Sequence, residues 1–433
     1  MSLLLKNGKV INVETGEVEE SSILIQQDQI VNVGNLDEEA DDVIDLDGKY
    51  VIPGLIDMHC HIKERFAHLF TAAGVTTVRN TAGNVMELRD MIEAPNNAQT
   101  PRIYSADRLI DGPPGLWGPT SPYSFNASEP DEARLEVQRQ ANAGAQFIKV
   151  YGWLSPEIMK VVVDESHKHG LEVSCDLIHS SKVNALQAAQ MGVKWFEHNS
   201  GVIQAIYPGW FPSTDQDFLI DWEQPDLEKL QEVCQQLLKH DVYMCPTTVV
   251  FDQANHASSH WNSDERFSDD SLRNIWDQMS QYKDELKDQL GIQTEYLKAI
   301  TKTYYDLGGT IVAGTDTPGG VWTYPGMALH RELELLVESG LTPFQALQCA
   351  TTTAARSINK DEIGVVSTGK IADLLVLNSN PLDDIRYTKD IDTIIKGGAV
   401  YNQEKLLNYK LDEDLSDQKL DAFIQEFEQS LSC

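Results

Sequence analysis

The sequence predicts an α/β chain: a (β/α)8 TIM barrel with a small β-sandwich built from its N- and C-terminal segments. Three observations predict it. Eight apolar, β-branched-rich runs recur through the middle of the 433 residues. Segments of helical periodicity separate them, and short alternating segments with turn signals occupy both ends of the chain.

Residues 1–52 alternate apolar and polar positions, with Asn7-Gly8 and Thr15-Gly16 as turn signals, and form the first part of the sandwich. The barrel is expected over 53–362. Its strands are LIDMHCH (55–61), GVTTVRN (74–80), RIYSAD (102–107) and FIKVYG (147–152), then LEVSCDL (171–177), WFEHNS (195–200), VYMCPTT (242–248) and TIVAGTD (310–316). Such near-continuous apolar runs are what parallel strands buried on both faces require. DEARLEVQRQANAG and PEIMKVVVDESHKHG carry the helical spacing between them. DGPPGLWGPTSPYSF (111–125), rich in Pro, Gly and aromatics, reads as a lid or pocket wall. Insertions occupy 201–241 and 249–309, and the polar stretch WNSDERFSDDSLRNIWDQMSQYKDELKDQL within them reads as a solvated outer helix. Thr342, Pro343 and Gln345 supply the cap, first position and capping-box partner of a late helix. IADLLVLNSNP and IDTIIKGGAVYN return the β pattern over 363–403, and 404–433 reads as an amphipathic helical tail packing on the body or a neighbour.

Composition narrows the function. Net charge is −33, from 67 acidic and 34 basic residues. A phosphate backbone needs a basic footprint, so nucleic acid is not expected as a partner. The acidic surface serves solubility, or a salty setting. Cys60, Cys175, Cys234, Cys245, Cys349 and Cys433 are scattered without a CxxC pair, which predicts reduced thiols and a cytoplasmic protein. The first residues are too short for a signal segment, and no apolar run reaches membrane-spanning length.

In such a barrel, chemistry gathers at the C-terminal ends of the strands. The first strand ends in His59 and His61, which share one face because alternate strand residues do. Lys149 interrupts the apolar fourth strand. The fifth ends near Asp176 and His179, the sixth in His198 and the eighth in Asp316. A single strand-end His is ordinarily a hydrogen-bonding partner, but this set converges from five strands. Imidazole and carboxylate together are what a divalent ion such as zinc or manganese requires. Lysine as an ammonium binds no cation. A buried amine that sheds its proton can take up carbon dioxide, and the resulting carbamate has two oxygens to bridge two metals. Two metals can clamp and deprotonate one water at neutral pH.

PGLIDMHCH, FIKVYG, the strand-five His, FEHNSG and AGTDTP resemble the amidohydrolase superfamily of metal-dependent hydrolases. So does the ending PGMALHRELELLVESGLTPFQALQCATTTAARSIN with GVVSTGKIADLLVLNSNP. The likeness is greatest to the branch of imidazolonepropionase, Xaa-Pro dipeptidases and arginine carboxypeptidases. It implies that His59, His61 and Asp316 bind the more buried metal, that carboxylated Lys149 bridges, and that His179 and His198 bind the second. It implies two divalent ions, zinc first, with cobalt and manganese suiting similar ligands. A hydroxide held between them attacks a carbonyl, with Asp316 carrying the proton to the leaving amine. In relatives the strand-five His sits where Asp176 stands here, so Asp176 remains the alternative to His179. The first βα loop, after His61, is short.

Arg79, Arg108, Tyr151, Trp322 and Tyr324 follow strand ends and are candidate substrate contacts. An arginine there could grip a carboxylate, or form a salt bridge within the barrel. His330 is a candidate support for the site or a helix-surface residue. The expected activity is binuclear hydrolysis of an amide in a dipeptide or N-acyl amino acid. The alternatives are a mononuclear deaminase or cyclic-amide hydrolase, and a non-catalytic scaffold. A small-molecule substrate and a homo-oligomer without membrane contact complete the expectation.

Overall fold

The computed structural model describes residues 2–212, 218–259, 261, 264–410 and 413–431; Cys433 and part of the polar insertion lie outside them. The chain starts with strands β1 (Ser2–Ile11), β2 (Val18–Gln26), β3 (Gln29–Gly34), β4 (Asp42–Asp45) and β5 (Tyr50–Pro53). The central region supplies β6 (Leu55–Cys60), β7 (Val75–Asn80), β8 (Arg102–Ser105), β9 (Leu109–Asp111) and β10 (Ser124–Asn126). It continues with β11 (Ile148–Tyr151), β12 (Val173–Asp176), β13 (Trp195–Glu197), β14 (Tyr243–Cys245) and β15 (Thr310–Ile311). The chain returns as β16 (Leu374–Leu377), β17 (Ile391–Lys396) and β18 (Ala399–Tyr401).

Chain ends meet in one eight-stranded sheet, in the order β18-β17-β16-β5-β1-β2-β3, with β4 beside β1. The expected β-sandwich is not confirmed; strands from both chain ends share one hydrogen-bonded sheet that branches at β1. That strand pairs with β2 along its length, while its other edge takes β4 near Leu3–Lys6 and β5 at Lys9 and Val10. Asn7-Gly8, expected as a turn, is an irregularity inside β1. Asn7 takes φ 58°, a left-handed conformation that asparagine tolerates, and the strand bends there without reversing. Thr15-Gly16 does lie in the β1–β2 turn, where Gly16 has φ 79°. Alternation along β16 decides which core each side chain joins. Leu374 and Val376 pack with Leu3, Leu5 and Ile25, while Leu375 and Leu377 join the large central core.

In the central region every ladder is parallel: a three-stranded sheet β6-β7-β8 and a seven-stranded sheet β10-β9-β11-β12-β13-β14-β15. All eight strands expected from the sequence are present, in order. Single parallel bridges, Ala106 with Phe147 and Cys60 with Thr317, join β8 to the start of β11 and β6 to the chain beyond β15. Among the described residues the ladder is therefore interrupted at those two joints rather than continuous. β9 and β10, three residues each, were not expected.

Caps place the intervening helices. Ser155 accepts from the Ile158 N–H at 3.2 Å ahead of Pro156, and Asn184 and Thr342 form capping boxes with Gln187 and Gln345. The stretch expected as a solvated outer helix is corrected. Its helix Asp270–Ser280 buries Leu272 and Trp276, and the Trp276 indole donates to Pro318 O at 3.2 Å. The C-terminal helix Glu413–Ser430 packs on the body through buried Phe423 and Phe427, with Lys419 2.7 Å from Glu64.

Candidate metal centre and substrate cavity

Parallel pairing brings the C-terminal strand ends together. His59 is fully buried at the end of β6, and its Nδ1 lies 2.7 Å from Glu197 Oε2. His61 Nδ1 lies 3.2 Å from the Ala82 carbonyl. His198 Nδ1 lies 2.5 Å from Thr247 Oγ1, whose own hydroxyl donates to Pro246 O. Each Nδ1 thus faces an acceptor, so an ion replacing the carboxylate contacts of Nε2 would find the proton on Nδ1 and the lone pair on Nε2.

The three Nε2 atoms converge. Nε2 of both His59 and His61 lies 2.9 Å from Asp316 Oδ1, and His198 Nε2 lies 3.4 Å from Asp176 Oδ2. Ligand atoms of His59, His198 and Asp316 all fall within 4.8 Å of one another. Despite its closeness to Asp316, His59 Nε2 lacks hydrogen-bond geometry and is left without a hydrogen-bond partner. Lys149, fully buried on β11, has no hydrogen-bond partner for Nζ and lies 5.3 Å from the Tyr151 ring. Unpaired buried polar atoms are costly, so these two need an occupant. Three imidazole lone pairs, two carboxylates and an orphaned amine fit divalent cations.

Electrostatics keep the carboxylates ionised. Burial pushes Asp316 up, but His59 and His61 hold it well below the usual carboxylate range. Burial likewise opposes ionisation of Asp176, which His198 brings down to about 2. Burial lowers His179, so its ring favours the neutral form that can ligate. The backbone is also strained here: His198, Thr247 and Asp316 have φ of 61°, 48° and 59°. Non-glycine residues held in that region cluster at functional sites.

Of the candidate substrate contacts, only Tyr151 lines the cavity described below. Arg79 is buried between the Phe147 and Trp195 rings, 4.0 and 4.1 Å away, and its Nη1 lies 2.7 Å from Glu197. It therefore forms the salt bridge within the barrel. Arg108 forks onto Glu136 at 2.8 and 2.6 Å, behind the wall. Trp322 and Tyr324 are buried against Trp276, with centroids 5.8 and 5.1 Å away. His330 is buried rather than on a helix surface; its nitrogens lie 2.8 Å from Thr388 Oγ1 and Ala73 O.

Above the strand ends lies a cavity of about 650 Å³ with His61, Asp176, His179, His198 and Asp316 on its floor. Leu116, Trp117 and Tyr123 of the 111–125 segment form one wall, and Val250, Phe251, Met279 and Leu290 another. The polar insertion thus contributes Met279 and Leu290 to the site. Both strand-five candidates reach the cavity.

Glu197 and Thr247 were missed by sequence reasoning. Glu197 also accepts from Arg79 and from Ser174 Oγ at 2.5 Å, and Arg79 and His59 keep it well below the usual range against burial. The signal was present: Arg79 in the apolar run VTTVRN demanded a buried carboxylate, and FEHNS offered one.

Comparison with known proteins agrees with this architecture. The model of the amidohydrolase family matches residues 50–400. A solved Bifidobacterium longum protein assigned as a prolidase shares 25% identity at a TM-score of 0.69, covering 98% of each chain. A Xaa-Pro dipeptidase solved with methionine in its active site shares 22% identity at a TM-score of 0.69, covering 93% of this chain and 100% of its own. Adenine deaminase from Kosmotoga olearia is 44% identical over 82 residues, 18% of this chain and 14% of that enzyme. The chain thus spans only a small part of the curated relatives it matches. With the matched span reaching over most of its length, the chain belongs to the amidohydrolase family.

Proposed function

We propose that this chain is a binuclear metal-dependent hydrolase that cleaves an amide C–N bond in a small substrate of dipeptide size. The observation that carries this reading is Lys149. Its amine is buried and unpartnered at a strand end where three imidazoles and two carboxylates gather. His59, His61 and Asp316 would hold one ion, and His198 with His179 or Asp176 the other. As a carbamate, Lys149 would offer both its oxygens. When bound, the ions, zinc first, supply the Lewis acid that polarises a carbonyl and activates water at neutral pH.

The chain's own groups do the rest. Glu197, Ala82 O and Thr247 fix the tautomers so that every Nε2 faces inward. Asp316, ionised before reaction, accepts a proton at its carboxylate and returns it to the departing nitrogen. Tyr151, which burial keeps protonated, is placed to donate to a substrate oxygen. The apolar walls give a bound substrate an apolar surface to bury above the floor.

A turnover screen of zinc-loaded protein against dipeptides and N-acylated amides tests the reading. Hits sharing one terminal residue are expected; silence from protein holding two metals would overturn it. A one-ion deaminase or cyclic-amide hydrolase is the second reading. It is favoured by the cluster of His59, His198 and Asp316, which holds one ion's worth of ligand atoms, and by the likeness to adenine deaminase over 82 residues. Ammonia release by protein with one metal per chain would establish it instead.

A further inference from the structure

The cavity is poor in usable positive charge. Among its lining residues Lys63 alone carries a cationic side chain reaching the space above the floor. Arg79 and Arg108, the natural anchors for a substrate carboxylate, are turned away into buried salt bridges. Lys63 is itself engaged. Its Nζ lies 2.9 and 2.6 Å from the two oxygens of Glu87 and 4.1 Å over the Tyr123 ring. Neighbouring hydroxyls are occupied too: Ser121 and Ser124 share a hydrogen bond of 3.0 Å, and Tyr123 bonds Glu87. Asp176 and Asp316 lie on the floor with the imidazoles, while Leu109, Leu116, Trp117, Ile178, Phe251 and Met279 make the walls apolar.

We propose that Glu87, by neutralising Lys63, makes this site select neutral, apolar amides and reject substrates that carry a free carboxylate. The proposal rests on the amide-hydrolase reading and names its substrate class: a dipeptide-sized amide with a bulky apolar group and no anion on the leaving amine. The physical cause is a difference in desolvation. A carboxylate on the leaving amine, held against the walls while the scissile carbonyl occupies the floor, loses its water and meets no unpaired side-chain cation, while an aryl or alkyl group there gains by burial.

A matched pair tests it: N-acetyl-leucyl-phenylalanine and N-acetyl-leucine 2-phenylethylamide, which differ only by the carboxylate. Zinc-loaded protein is compared by kcat/KM and, independently of turnover, by calorimetric affinity. The neutral compound should lead by about tenfold or more. Glu87→Gln should move the ratio toward the acid by about tenfold, because it frees the Lys63 charge. Glu87→Gln combined with Lys63→Met should move it back, which shows that the shift belongs to Lys63 rather than to a loosened wall. A native preference for the acid, or a ratio that Glu87→Gln leaves unchanged, overturns the proposal while amide cleavage stands. Cleavage of neither compound, with the affinity preference intact, would remove the hydrolase reading and leave the selectivity in place.

Discussion

His59 shows how much a single ligand depends on what stands behind it. Its Nδ1 proton goes to Glu197, and Glu197 is held by Arg79 and Ser174. Glu197→Gln keeps an acceptor but loses the charge that raises imidazole basicity. Metal affinity should fall by about 10- to 100-fold, measured by competition with a chromophoric chelator; an unchanged affinity would mean that Glu197 serves only to neutralise Arg79. Arg79→Met tests the other side of the pair. It leaves a buried carboxylate with one fewer partner, so denaturant unfolding should show a loss of about 3–5 kcal/mol. Cation–π packing on Phe147 and Trp195 is lost with it.

Among the elements, the chain beyond β15 is placed by close approach to β6. A Cβ on Gly314 would stand 2.7 Å from both the Cβ and the N of His59 and would press on Cys245 Sγ. Gly314→Ala should cost about 1–3 kcal/mol of stability and weaken metal binding, because the displaced neighbour is the proposed ligand His59. The helix Thr248–Asn255 beside the cavity is pinned by Glu332, which accepts from the Thr248 and Val249 N–H groups at 3.0 and 2.7 Å. Burial pushes Glu332 from its ordinary 4.5 up to about 8. Between those values the folded state keeps a proton that the unfolded chain has released, so stability falls as pH rises through the window. Glu332→Gln should flatten that part of the melting-temperature profile; an identical slope would show that the carboxyl ionises freely. The eight strands were legible because buried parallel strands must be apolar throughout, and the gathering of His59, His61, Asp176, His198 and Asp316 because each lies at or near the end of such a run. The helix Asp270–Ser280 was misread because its polar residues dominate. Leu272, Trp276 and Met279 nevertheless stand four and three apart, which is one helical face. Which arginines face the cavity was not legible, since that depends on partners such as Glu136 and Glu197 from distant segments.

For the whole molecule, a net charge of −33 means self-repulsion in the compact state. Raising sodium chloride from about 10 mM to about 0.3 M should screen it and raise the melting temperature by a few degrees; a flat or falling profile would show that local ion pairs outweigh the net charge. No helix among the described residues is long and apolar enough to cross a membrane. What unifies the molecule is a parallel-strand scaffold whose ends gather imidazoles and carboxylates around two unpartnered atoms, His59 Nε2 and Lys149 Nζ. The most direct test is the metal content of the purified protein and of Lys149→Ala, by elemental analysis after removal of loosely bound ions. Two divalent ions per chain in the native protein, and at most one with turnover lost in Lys149→Ala, are predicted. A Lys149→Ala protein that still holds two ions and turns over substrate would contradict the account.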